Sequence, residues 1–259
     1  MTSAVDCAYQ VNGSGPVLFL VHGVGARGAS WEKVVERLSS RCTCVSYDLR
    51  GHGDSPKPQQ PITLEALVAD LERLRERLGI KRAHVFGHSL GGMIAPAYAH
   101  AHPTRVRSIG LLSTAAFRSD EDASRVQGIA ATIREQGPAK LVDGFVSRWF
   151  TEDFLKARPE AVELRKKQVL ATDPKVFAEV FTLYSETEMA PWLQEVEVPA
   201  LVLTGEQDLT CNPRLNKLMA AALPKSQLVI LDKLKHGLVV ESPERVAQAI
   251  GQFLDGLNS

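Results

Sequence analysis

The sequence predicts an α/β protein with a mostly parallel sheet and one helical insertion. Three observations predict it. Short apolar runs alternate with amphipathic helical segments as far as Leu112. From Ala115 to Pro191 the alternation stops and only helical patterns appear. At Pro199-Ala200-Leu201-Val202-Leu203 the strand–helix alternation resumes. The chain therefore divides into a core of residues 1–114 and 193–259 and an inserted helical segment of residues 115–192.

Taken in order, Val5 to Val11 reads as an opening strand, and Asn12-Gly13-Ser14-Gly15 as a hairpin turn. Val17 to Val21 is apolar without alternation, the mark of a strand buried on both faces. Ser30 to Leu38 reads as a short helix, and Cys42 to Tyr47 as a strand running into a Gly- and Pro-rich loop. Leu64, Leu67, Val68, Leu71, Leu74 and Leu78 follow helical spacing, and Gly79 ends that helix. Ala83 to Phe86 is a strand, Leu90 to His102 a helix and Val106 to Leu112 a strand. The insertion contains helical patterns over 124–135, 139–150, 159–170 and 174–186. A helix over 213–222, a strand over 227–231 and a helix over 243–257 complete the chain.

Composition narrows the function classes. In 259 residues, 44% are hydrophobic and 23% charged, as in a folded soluble protein. The 30 basic and 30 acidic residues cancel, so nothing marks a nucleic-acid or anionic-membrane surface. A small-molecule partner is the expectation. Met1 to Gly15 lacks the basic start and apolar core of a signal peptide. No apolar run approaches the roughly 20 residues that span a bilayer. Cys7, Cys42, Cys44 and Cys211 show neither zinc-ligand spacing nor a disulfide framework, which predicts free thiols, no metal and a cytoplasmic location. No cofactor is expected.

The strongest chemical signal is Gly87-His88-Ser89-Leu90-Gly91-Gly92, placed between a predicted strand and a predicted helix. In that context G-x-S-x-G is a sharp turn that lifts a serine hydroxyl above the sheet, at a helix N-terminus that favours developing negative charge. A serine needs a base, and the base needs an acid. Asp208 follows the strand that begins at Ala200, and His236 follows the last strand. Both lie beyond carboxyl ends of strands, where sites in open α/β sheets form. Glu206 is the rival acid. His84, His100 and His102 read as surface or helix-end residues. Two amides are needed for an oxyanion: Leu90 supplies one, and Val24 in His22-Gly23-Val24-Gly25 the other. In the insertion, Arg148 followed by Trp149 forms a charged and aromatic cluster suited to a carboxylated substrate, with Arg118 as second choice.

Together, His22-Gly23, Asp48-Leu49-Arg50-Gly51-His52-Gly53-Asp54-Ser55, the Ser89 turn, Gly205-Glu206-Gln207-Asp208 and Lys235-His236-Gly237 resemble the α/β-hydrolase family. The resemblance covers the whole chain apart from the insertion. It implies the triad Ser89, Asp208, His236, with Val24 and Leu90 as oxyanion donors. It also implies a sheet of about eight strands with helices on both faces, and a cap inserted after the sixth strand. Arg148-Trp149-Phe150-Thr151, Ala171-Thr172-Asp173-Pro174 and Ser89-Leu90-Gly91-Gly92-Met93 are similar to the 3-oxoadipate enol-lactonase branch. The implied activity is a serine hydrolase that cleaves a small carboxylated ester or enol-lactone through an acyl-enzyme. Hydrolases of acidic enamides or of carbon–carbon bonds in aromatic-compound degradation are the alternatives, although Gly237 after the histidine weighs against the latter. A slow-turnover ligand receptor of the same fold is a third.

Overall fold

Strands buried on both faces must occupy the centre of the molecule, because each face needs its own apolar cover. In the computed structural model, which describes residues 4–257, six strands pair in parallel. They are β2 (Val17–Val21), β3 (Thr43–Tyr47), β4 (Ala83–His88), β5 (Val106–Leu112), β6 (Ala200–Gly205) and β7 (Ser226–Leu231). β1 (Tyr9–Asn12) joins β3 antiparallel at one edge. The order is β1-β3-β2-β4-β5-β6-β7.

The sheet thus has seven strands among the described residues, where about eight were expected. The opening strand is also shorter than the predicted 5–11. Ahead of Tyr9, the Val5 N–H donates to Asp70 Oδ1 at 2.7 Å and the Ala8 N–H to Ser55 Oγ at 2.9 Å. Side chains take amides that a strand ladder would use. The inserted helices follow β5 of this sheet.

The helices before the insertion are α1 (Glu32–Leu38), α2 (Leu64–Arg77) and α3 (Leu90–Ala101). The insertion holds α4 (Asp120–Gln136), α5 (Val142–Trp149), α6 (Glu152–Ala157), α7 (Pro159–Ala171) and α8 (Pro174–Glu186). After it come α9 (Pro213–Ala222), α10 (Leu238–Glu241) and α11 (Pro243–Gly256). Pleating sends alternate strand side chains to opposite faces. Phe19 and Val21 enter a core with Leu71 of α2, Met93 of α3 and Met219 of α9. Leu18 and Leu20 enter a second core with Val34 of α1 and Ile250 of α11. All four cysteines are free and buried, and Cys42 and Cys44 share the second core.

Local chemistry explains where elements depart from their predicted bounds. α4 starts at Asp120 because Ser119 and Asp122 close a capping box there. α6 is too short for periodicity to reveal; Thr151 caps it by accepting from the Phe154 N–H. His84 is not a surface residue: it lies buried in β4, with Nδ1 2.7 Å from Ser108 Oγ. No described helix is long and apolar enough to cross a membrane.

One buried ion pair ties the loop after β3 to α2. Arg50 Nε and Nη2 donate to the two oxygens of Asp70, each at 2.6 Å, and Nη2 also reaches the Ala66 carbonyl at 3.1 Å. Both side chains are almost fully buried. Removing one partner of such a pair costs about 3–5 kcal/mol, because the other charge loses its counter-ion. Asp70→Ala should therefore lower unfolding stability by about that amount. Lys33→Ala, which removes the exposed Lys33–Glu36 pair, should cost at most about 1 kcal/mol. Urea unfolding of the two variants measures the difference.

Candidate active site

The turn between β4 and α3 is too tight for ordinary side chains. A Cβ at Gly87 would collide with the Gly91 carbonyl, and one at Gly91 with the Val21 carbonyl. With both absent, helix and strand backbones approach closely. Ser89 at the apex has φ 56° and ψ −116°, a strained conformation for a residue with a side chain. Its N–H is held by the Leu112 carbonyl at 2.8 Å, on the neighbouring β5. Ser89 is half-buried and faces a cavity of about 270 Å³.

His236 lines the same cavity. Its Nδ1–H donates to Asp208 Oδ2 at 2.9 Å, between two buried side chains. Asp208 is itself fixed: Oδ1 accepts from the Thr210 and Cys211 amides, each at 2.9 Å. Burial works against both charges. The Asp208 charge and hydrogen bond, with a smaller contribution from the Cys211 thiol, still raise the His236 pKa above its ordinary 6.5. In return His236, and then the two amides, lower that of Asp208 despite its burial. The rival Glu206 is exposed, and its carboxylate accepts from the Lys233 N–H at 3.1 Å.

Asp208, Cys211 and His236 present ligand-type atoms within 4.8 Å of one another. Asp208 and His236 already satisfy each other, and Cys211 Sγ lies 3.1 Å from the Tyr184 hydroxyl. The trio is therefore a hydrogen-bonded assembly in its own right.

Three further histidines brace the site, and no sequence motif assigned them this work. His88 Nε2–H donates to the His236 carbonyl at 2.8 Å, and the two rings lie 4.9 Å apart. Burial, and then the His236 charge, push the His88 pKa down to about 3, so it stays neutral. His22 Nδ1–H donates to the Gly23 carbonyl at 2.7 Å, and its Nε2 accepts from the Leu49 amide at 2.9 Å. His52 Nε2 accepts from the Gly25 amide at 3.1 Å; burial lowers its pKa to about 4 and keeps that lone pair free. The His22–Gly25 loop is thereby pinned beside the turn, where a Cβ on Gly23 would stand 2.9 Å from the Ser89 Cβ. Val24 of this loop lines the cavity. Leu90 opens α3, so its amide lacks a carbonyl one turn back.

The insertion supplies the apolar wall, including Phe145, Trp149, Phe177 and Phe181. Of the residues expected to bind substrate, Trp149 lines the cavity and stacks on Phe145 at 5.4 Å. Arg148 is exposed at its border. Arg118 reaches the cavity, but its guanidinium donates to the Thr187 and Tyr184 carbonyls at 2.8 and 3.2 Å and stacks over the Tyr184 ring. A residue that sequence reasoning missed, Arg165 of α7, also lines the cavity. It sits in the charged run Arg165-Lys166-Lys167, which gives no local sign of burial.

Comparison with known proteins agrees with this architecture. A family model described as the alpha/beta hydrolase fold matches residues 16–243. The chain is 27% identical over 243 residues to 3-oxoadipate enol-lactonase 2 of Acinetobacter baylyi, covering 94% of this chain and 90% of that protein. The structure superposes on a malate-bound thermophilic esterase from Thermogutta terrifontis with TM-score 0.90 and 29% identity, covering 100% and 97% of the two chains. It superposes on the enol-lactonase from Burkholderia xenovorans with TM-score 0.89 and 28% identity, covering 98% and 100%. These relatives support hydrolase activity, and the matched span takes in the Ser89 turn, Asp208 and His236. The chain belongs to the α/β-hydrolase family.

Proposed function

We propose that this protein is a serine hydrolase that cleaves a small carboxylated ester or enol-lactone through an acyl-enzyme. One observation carries the reading: the buried His236–Asp208 pair opens onto the cavity that the strained Ser89 faces. Residues 115–192 act as the cap over the core of residues 1–114 and 193–259. The four free thiols suit a reducing cytoplasm.

In the first step Ser89 Oγ attacks the substrate carbonyl carbon while His236 Nε2 takes the hydroxyl proton. Asp208 holds the Nδ1–H tautomer, which leaves Nε2 as the acceptor, and stabilises the imidazolium. The Val24 and Leu90 amides receive the oxyanion. The tetrahedral intermediate then expels the alkoxide or enolate, which recovers its proton from His236. Water attacks the acyl-enzyme as His236 takes one of its protons, and Ser89 leaves with that proton. Atoms and charge balance without a metal or cofactor step. Trp149 packs on the substrate body, and Arg148 at the border, with Arg118 second, attracts its carboxylate.

Ser89→Ala should lower kcat by roughly 10³- to 10⁶-fold on 4-nitrophenyl esters, with the fold unchanged by circular dichroism. Near-native turnover in that variant would overturn the proposal. Asp208→Asn should lose about 10⁴-fold in kcat, whereas Glu206→Gln should stay close to wild type. The reverse order would identify Glu206 as the acid. The pH profile gives a separate check. Protonated His236 cannot accept the Ser89 proton, so kcat/KM must fall as pH falls through the imidazole pKa. Asp208 raises that pKa, so the acid limb should have its midpoint above pH 6.5. In the residual activity of Asp208→Asn, the midpoint should move down.

A further inference from the structure

Arg165 is a cation with no acidic partner among the described residues. Nη2 donates to the Val24 carbonyl at 2.9 Å, and Nη1 to the Gly25 carbonyl. Its guanidinium lies over the Trp149 ring at 4.6 Å. Burial alone pushes its pKa down to about 10, so it remains charged at neutral pH. A guanidinium has five N–H donors, and the carbonyl acceptors found for it among the described residues are these two. Arg165 is half-buried in the cavity wall, so its charge is partly desolvated and gains from an anionic partner.

The cavity around it is charge-biased in the same sense. Arg118, Arg125, Arg148 and Arg165 line it, against one carboxylate, Asp122. That carboxylate is engaged by Arg125 at 2.9 Å and also by Arg214. Arg118 is engaged by carbonyls and a ring, and Arg148 is exposed. Arg165 differs from these neighbours: it grips the loop that carries Val24, next to Ser89, and still has donors to offer.

We propose that Arg165 is the carboxylate receptor of this cavity, binding an anionic group of the substrate with the donors not used on Val24 and Gly25. The inference rests on the Ser89 reading and deepens it. The scissile carbonyl sits at Ser89, and a second, charged carboxylate lies under α7. Because the same guanidinium holds the Val24 and Gly25 carbonyls, substrate charge and oxyanion loop meet on one side chain. Arg148 then serves as an outer attractor and not as the main clamp.

The test uses two chromogenic esters that differ in charge alone: mono-4-nitrophenyl succinate and its methyl ester. Arg165→Met should lower kcat/KM for the charged ester by about 10- to 150-fold, the worth of a hydrogen bond to a charged group. It should change the neutral ester much less, and Arg165→Lys should recover part of the loss on the charged ester. Equal losses on both esters would mean that Arg165 only fastens the loop, and would overturn the proposal. The wild-type enzyme gives a second reading should the variants fold poorly: succinate should inhibit methyl-ester hydrolysis competitively, and succinamide should not. Equal inhibition by both, or by neither, also overturns it. Titrating Ser89→Ala with succinate in a calorimeter separates the two claims. Binding without turnover supports both, whereas turnover retained with binding intact removes the serine reading and leaves the anion site standing.

Discussion

The backbone at Ser89 is the constraint around which the site is arranged. A left-handed φ on a residue with a Cβ costs about 1–3 kcal/mol, and surrounding structure must compensate that cost. Here the compensation is close packing. Bare glycines at 87 and 91 let α3 lie against β4 and against the carbonyl end of β2. The Ser89 amide is then captured by Leu112 of β5. Loss of either glycine would push the helix away from the sheet and release the strain that presents the hydroxyl. The same approach brings Gly23 against Ser89, so the loop bearing Val24 is positioned by the packing that positions the proposed nucleophile.

Around that point, burial and one carboxylate divide the imidazoles between two states. His22, His52 and His88 are held neutral and act as fixed donors and acceptors for backbone groups. His236 alone among these four has a carboxylate against its ring, and its proton affinity moves the other way. One residue type thus does two jobs in one small volume, and the difference is a single buried aspartate. On the insertion side Arg165, a half-buried cation, leans on carbonyls and an aromatic face.

Much of this was legible along the chain because the information is local. G-x-S-x-G places its two glycines and its serine within five residues, so the geometry they impose is written contiguously. Parallel strands announce themselves as unbroken apolar runs, and Asp208 and His236 follow such runs at the expected carboxyl ends. The residues that were misjudged depend on partners distant in sequence. His84 is buried by pairing with Ser108, and the opening strand shortens because Asp70 and Ser55 capture its amides. Arg148 stood out beside two aromatics yet lies exposed, whereas Arg165 looked ordinary among lysines and lines the cavity.

The sequence by itself determined the fold class and named a candidate nucleophile and base, with Asp208 preferred over Glu206 as the candidate acid. These follow from periodicity, glycine placement and order along the chain, all short-range properties. Only the tertiary structure decided which carboxylate meets His236, which histidines stay neutral, and which arginine of the insertion reaches the Val24 loop. Those outcomes depend on distance and desolvation between residues up to 148 positions apart, as for His88 and His236. Local spacing carries no record of which distant side chain will exclude water from which.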